Sequence, residues 1–198
     1  MAIKKLKFLI LLAINAVLIL ADGVLTYINT PDLSMEGNPL VAKLGLGWGA
    51  LAIANIIGFA VILITGYYCF CKYETIYCDQ TKFTRYASQI VYHRPDKFYA
   101  IGIPKDIRPF IAMMGYMHMC TMPIGRAILV AEWTLITLIR QTHAKWIVSI
   151  CREYFHIRNQ YFHGKLHLIV ATAASVILAF VWLYKEYRAN LKKVQNVE

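Results

Sequence analysis

Asp22 and Arg126 are the residues of this chain best equipped for chemistry. A carboxylate can act as a general base or take up a cation or proton, and a guanidinium can neutralise a phosphate or pair with the carboxylate itself. Both lie inside long apolar stretches, 8–28 and 110–139. A charged side chain at membrane depth costs at least a few kcal/mol, so neither is expected to face lipid. Asn15, Asp22 and Thr26 are spaced by seven and then four residues, which returns them to nearly the same helical angle and gives the first stretch a single polar stripe. At ~1.5 Å per residue, Asp22 stands about 21 Å from the start of its stretch and Arg126 about 24 Å from the start of its own. The two fall at one level and are expected to pair or to meet across a small cavity, with Asn55, His118 and Glu132 joining from neighbouring depths. Two readings stay open: a polar knot that locks helix packing, or a ligand or ion site.

The elements that position these residues are membrane spans. Of 198 residues 59% are hydrophobic and only 16% charged, with a formal net charge of +10, a balance that soluble domains rarely show. Four apolar stretches, 8–28, 46–69, 110–139 and 166–184, each reach or approach the ~20 residues that cross ~30 Å of hydrocarbon. The reading is an all-α, polytopic helical membrane protein forming a single integral membrane domain over 1–198, with no room for a large soluble domain. The charged head and apolar run of residues 1–21 share features with a signal peptide. No small-x-small cleavage site stands at Leu20-Ala21-Asp22, however, and the apolar character resumes at Val24, so the segment reads as a retained first span.

Lysine and arginine collect on cytoplasmic loops. Lys4, Lys5 and Lys7 precede the first span, only Lys43 occupies the first loop, and segment 70–109 carries Lys72, Lys82, Arg85, Arg94, Lys97, Lys105 and Arg108. The N-terminus and the 70–109 loop are therefore expected in the cytoplasm. A helix over 110–139 would be about 45 Å long, beyond the hydrocarbon thickness, and Pro123-Ile124-Gly125-Arg126 offers a break. A kinked single span giving four crossings is favoured over a re-entrant hairpin giving three, because a re-entrant segment needs more surrounding protein than this chain supplies. Two further stretches read as interfacial amphipathic helices. Segment 81–92 carries apolar Phe83, Ala87, Ile90 and Val91, and 145–161 carries Ile147, Ile150, Cys151, Tyr154 and Ile157.

The first loop holds Glu36, Asn38 and Pro39, which turn chemistry alone explains, since asparagine and proline shape turns and Pro39 can open the next helix. Asp22-x3-Thr26 at a span end, followed by Glu36-x-Asn38-Pro39-Leu40 before the next span, resembles the D-x3-T and E-x-N-P-L motif of an uncharacterised family of small bacterial and archaeal multi-span membrane proteins. The likeness covers residues 15–58. The basic loop and the region after Arg126 depart from that family. The resemblance implies that Asp22, Thr26, Glu36 and Asn38 belong to one site, and it implies no activity.

Other chemistries find little support. Five cysteines without regular spacing argue against a disulfide framework, and Cys69, Cys71 and Cys78 lack the second half of a four-ligand zinc site. None of the six histidines forms H-E-x-x-H; His163 and His167, four apart, read as solvated interface residues rather than metal ligands. No metal and no cofactor is expected. Gly45, Gly47 and Gly49 beside Trp48, and the small residues 171–175, suggest close helix packing rather than a phosphate loop or a serine protease. The basic residues are dispersed among Tyr73, Tyr77, Tyr86, Tyr92, Phe98 and Tyr99, which suits anionic lipid headgroups and not nucleic acid. Three functions compete. The first is a non-enzymatic component that assembles with a protein partner or with further copies of itself in a bacterial inner membrane or its equivalent. The second is an enzyme acting on a lipid or lipid-linked phosphate with Asp22, Glu36 and Arg126. The third is an oligomeric ion or proton transporter.

Overall fold

The computed structural model describes residues 2–35, 38–94 and 104–195. Among them every regular element is helical: α1 (Ala2–Asn29), α2 (Pro39–Ala42), α3 (Trp48–Tyr67) continued by a π-helical turn (Tyr68–Lys72), α4 (Phe83–Tyr92), α5 (Ile107–Gln141), α6 (Lys145–Phe162) and α7 (Leu166–Gln195). Four of these helices, α1, α3, α5 and α7, are long and apolar enough to cross a membrane, and the fold is that of a polytopic helical membrane protein. Leu9, Val17, Leu20 and Val24 on α1 and Ile53, Ile56, Ile57 and Ile64 on α3 are exposed, as lipid-facing positions are.

α5 is one continuous helix with Pro123 inside it. A re-entrant hairpin is ruled out, because the chain makes no turn between Ile107 and Gln141. Pro123 has no N–H for the Met119 carbonyl, a loss that a helix of 35 residues absorbs through its remaining hydrogen bonds. α7 also exceeds its apolar stretch, running on through the basic residues to Gln195.

The described residues divide into two compact units. The first comprises 2–10, 62–94, 104–120 and 174–195. Its core is aromatic: Tyr73, Tyr86, Ile90, Val91, Ala112 and Trp182 are buried together. α4 forms over the expected amphipathic stretch, but Phe83 lies 6.0 and 5.7 Å from the rings of Tyr184 and Tyr187, and Tyr86 lies 5.8 Å from Tyr187. Its apolar face is therefore covered by protein, not left for headgroups. The end of α7 grips the preceding loop by its backbone. Asn190, fully buried, accepts from the Cys78 N–H at 3.0 Å and donates to the Cys78 carbonyl at 2.9 Å; Lys193 donates to the Thr75 carbonyl at 2.9 Å.

Close backbone contact within this unit occurs where α3 meets α5. A Cβ on Gly115 would stand 2.1 Å from the Thr65 carbonyl oxygen, and one on Gly66 would meet the Met119 side chain at 2.6 Å. Gly45, Gly47 and Gly49, expected to mark close packing, have nothing within 4 Å; Gly45 instead adopts φ +64° in a turn that a side chain would strain.

The second unit comprises 11–35, 38–61 and 121–173. Here α6 folds back along α5. Glu132 lies nine residues before the end of α5 and meets Tyr154 and Arg158, nine and thirteen residues after the start of α6. The two helices form an antiparallel hairpin with arms of ~13 Å or more to that contact. α6 then returns the chain to the level of Gly125, whose Cβ would lie 3.4 Å from the Ala171 Cβ in the second turn of α7. The small residues of α7 permit that approach.

Gly115→Ala should lower the thermal unfolding midpoint in detergent by the equivalent of about 1–3 kcal/mol or more, because a backbone oxygen cannot give way to the new methyl group. Gly66→Ala should cost less, since the Met119 side chain can swing aside, and Gly58→Ala, with nothing within 4 Å, should be tolerated. Equal tolerance at all three positions would contradict the close approach of α3 and α5.

Candidate functional site

The polar stripe of α1 faces protein. Asn15 is fully buried, with its Nδ2 donating to the Leu11 carbonyl at 2.9 Å, and Thr26 is buried one turn beyond Asp22. At Asp22 the second unit places its central interaction. Arg126 Nη1 donates to Asp22 Oδ2 at 2.7 Å, and Arg126 Nη2 donates to Asn55 Oδ1 at 2.7 Å. The Asn55 amide is oriented for this, because its Nδ2 donates to the Leu51 carbonyl at 3.1 Å and leaves the oxygen turned to the guanidinium. One planar fork thus ties α1, α3 and α5 together. The Arg126 and Asp22 side chains are 20% and 16% exposed: shielded enough that losing either partner leaves a costly charge, open enough to be reached from outside.

Glu132 does not join this pair. It is 4% exposed and is held by α6, with Arg158 Nε at 2.8 Å and the Tyr154 hydroxyl donating at 3.1 Å. The reason is the fold-back of α6, which brings a second arginine to α5 about two turns from the first. Arg158 also donates from Nη2 to the Gly164 carbonyl at 3.0 Å, so the same side chain secures the turn into α7. Burial, and next the Glu132 carboxylate beside it, push the Tyr154 hydroxyl above its ordinary range, which keeps its proton available for donation.

His118 lies in the other unit, where its Nδ1 is buried without a hydrogen-bond partner. Asn38 serves locally: its Oδ1 accepts from the Leu40 N–H at 3.0 Å and its carbonyl from those of Val41 and Ala42, so it caps α2. Glu36 lies outside the described residues. The five cysteines are free. Among the described residues no three His, Cys, Asp or Glu side chains stand close enough to hold a metal ion.

A second polar cluster, not singled out by the sequence reading, closes the end of α1. Asn29 Nδ2 donates to the Leu25 carbonyl and to Thr137 Oγ1, both at 2.9 Å, and Arg140 Nη1 donates to the Asn29 carbonyl at 2.9 Å. The arginine satisfies a carbonyl left open where the helix stops. Its signal was present, for Asn29 follows Asp22 by seven residues exactly as Asp22 follows Asn15, and so extends the same stripe. Beyond it, Asp32 accepts from the Ser34 N–H at 3.1 Å and from the hydroxyls of Ser34 and Thr30, contacts that hold its carboxyl below the usual range. Trp48 donates from its indole to the Pro31 carbonyl at 2.8 Å while its ring meets Tyr27 at 5.5 Å.

No family model, curated protein or solved structure matches this chain.

Chemically, the oxygen of Asp22 that faces Arg126 and both arms of the Arg126 fork already have partners. An external anion at Arg126 would have to share the guanidinium with Asp22 and Asn55, or displace one of them. Asp22→Ala and Arg126→Ala should each destabilise the protein by about 1–3 kcal/mol, less than a fully buried pair would lose because both groups are partly exposed. The double variant should lose less than the sum of the two, by about 0.5–3 kcal/mol. Thermal unfolding of the three variants in one detergent tests this; additive losses would mean that the pair carries no coupling.

Proposed function

We propose that this chain is a non-enzymatic membrane component that assembles with partner proteins, or with further copies of itself, through its lipid-facing helices. The observation that carries the reading is the engagement of Arg126: both guanidinium arms are held, by Asp22 and by Asn55, so this ion pair acts as a strut between α1, α3 and α5. Meanwhile Gly23 on α1 and Gly58 on α3 have nothing within 4 Å, and small residues on exposed apolar helices let another backbone come near. The distribution of Lys and Arg supports an orientation with the N-terminus and segment 70–109 on the cytoplasmic side of a bacterial inner membrane or its equivalent. The likeness of residues 15–58 to the D-x3-T and E-x-N-P-L family implies that Thr26, Glu36 and Asn38 act with Asp22; of these, Thr26 lies one turn from it on α1, while Asn38 caps α2.

One observation favours a second reading. The Asp22 and Arg126 side chains keep 16% and 20% exposure, so a lipid-linked phosphate could compete with Asp22 for Arg126, leaving the freed carboxylate as a base. Native mass spectrometry of the gently solubilised protein separates the two. A partner or second copy at fixed stoichiometry, released by Gly58→Leu without a fall in the unfolding midpoint, is the expected result. A chain that always flies alone with a bound phospholipid or lipid-linked phosphate, lost in Asp22→Asn, would replace the first reading with the second.

A further inference from the structure

α6 has three faces, and only one is used by the protein. Cys151 is buried, and Tyr154 and Arg158 on the same side are fastened to Glu132 of α5, so the helix cannot roll. Lys145, Ser149, Arg152 and His156 recur at intervals of four, three and four, which confines them to one arc of about 60°. Together with His143, Val148 and Glu153 they line an open cavity of about 540 Å³. Trp146, Ile150, Ile157 and Tyr161 form a second exposed stripe about a third of a turn away; Trp146 and Tyr161 are each 68% exposed. Ala144 gives α6 no side-chain cap, so the positive end of the helix dipole adds to the charge beside Lys145.

We propose that α6 seats an anionic phospholipid, with the phosphate in the cavity against Lys145 and Arg152 and the acyl region against the Trp146, Ile150, Ile157 and Tyr161 stripe. The pairing of the two stripes decides between occupants. A soluble phosphate would satisfy the cations and make no use of the four large apolar side chains, whereas a lipid meets both stripes at once. α6 is fastened to α5 and leads directly into α7, two helices long and apolar enough to cross a membrane, so it stands beside the bilayer. This inference goes beyond the proposed function and does not need it, since a lipid can sit on α6 whether or not a protein partner exists.

The test measures lipid retention by the full chain in native mass spectrometry after exchange into phosphatidylglycerol or phosphatidylcholine. Wild type should retain phosphatidylglycerol in preference. Lys145→Gln/Arg152→Gln should weaken that retention about thirtyfold, from roughly fivefold per cation removed near the surface, and leave phosphatidylcholine unchanged. Arg152→Lys should keep most of the binding. Lys82→Gln/Arg85→Gln, which removes the same net charge from exposed positions at the start of α4, is the control. Circular dichroism confirms that each variant is folded; both target side chains are exposed. The proposal is overturned if the control loses as much binding as the α6 variant, or if the α6 variant binds like wild type. Displacement of the lipid by millimolar inorganic phosphate would likewise replace it with a soluble-anion site.

Discussion

Moving a guanidinium and a carboxylate out of water costs several kcal/mol per ion, and that cost is offset only when each meets the other and the remaining donors find acceptors. Much of this chain's architecture follows from that constraint. Arg126 meets it with Asp22 and Asn55, which requires α1, α3 and α5 to converge at one level. Glu132 meets it with Arg158 and Tyr154, which requires α6 to lie back along α5. Arg140, itself exposed, serves the backbone instead, donating to the Asn29 carbonyl that has no helical partner at the end of α1. In lipid the apolar effect discriminates poorly between helix neighbours, because acyl chains are as apolar as leucine. Polar contacts of this kind therefore carry much of the specificity of the packing.

Beside the ion pairs stand the places where backbones touch. Gly115 against Thr65, and Gly125 against Ala171, bring helices within reach of one another's main chains. Both contacts use small residues in the way membrane helices commonly do. The aromatic core of the first unit works differently. Tyr73, Tyr86 and Trp182 fill volume, and Asn190 and Lys193 anchor an otherwise irregular loop through its backbone, so the basic end of α7 serves the fold before any lipid.

Much was legible from residue type and spacing. Helical class, four spans, the stripe on α1 and the matching depths of Asp22 and Arg126 all rest on period and rise per residue, which are local properties. Other features were not. Glu132 stood near Arg126 in depth and was read with it, yet a partner on a helix that folds back has no local signature. Gly45, Gly47 and Gly49 suggested close packing by composition, whereas Gly115, a single glycine in a long apolar stretch, carried no mark of what it touches. Asn29 continues the heptad spacing of Asn15 and Asp22, but spacing alone does not show that it meets Thr137 and Arg140.

Hydrophobic length and charge placement by themselves determined that this is a helical membrane protein with a carboxylate that must find company inside its apolar helices. Of the company expected for it, the tertiary structure kept Arg126 and Asn55 and set Glu132 and His118 elsewhere; it alone decided on Arg158 for Glu132 and Arg140 for the end of α1. The physical reason is that burial and periodicity are set along one helix, whereas which arginine meets which acceptor depends on which helices lie side by side, and that is fixed by turns and close contacts far apart in the chain.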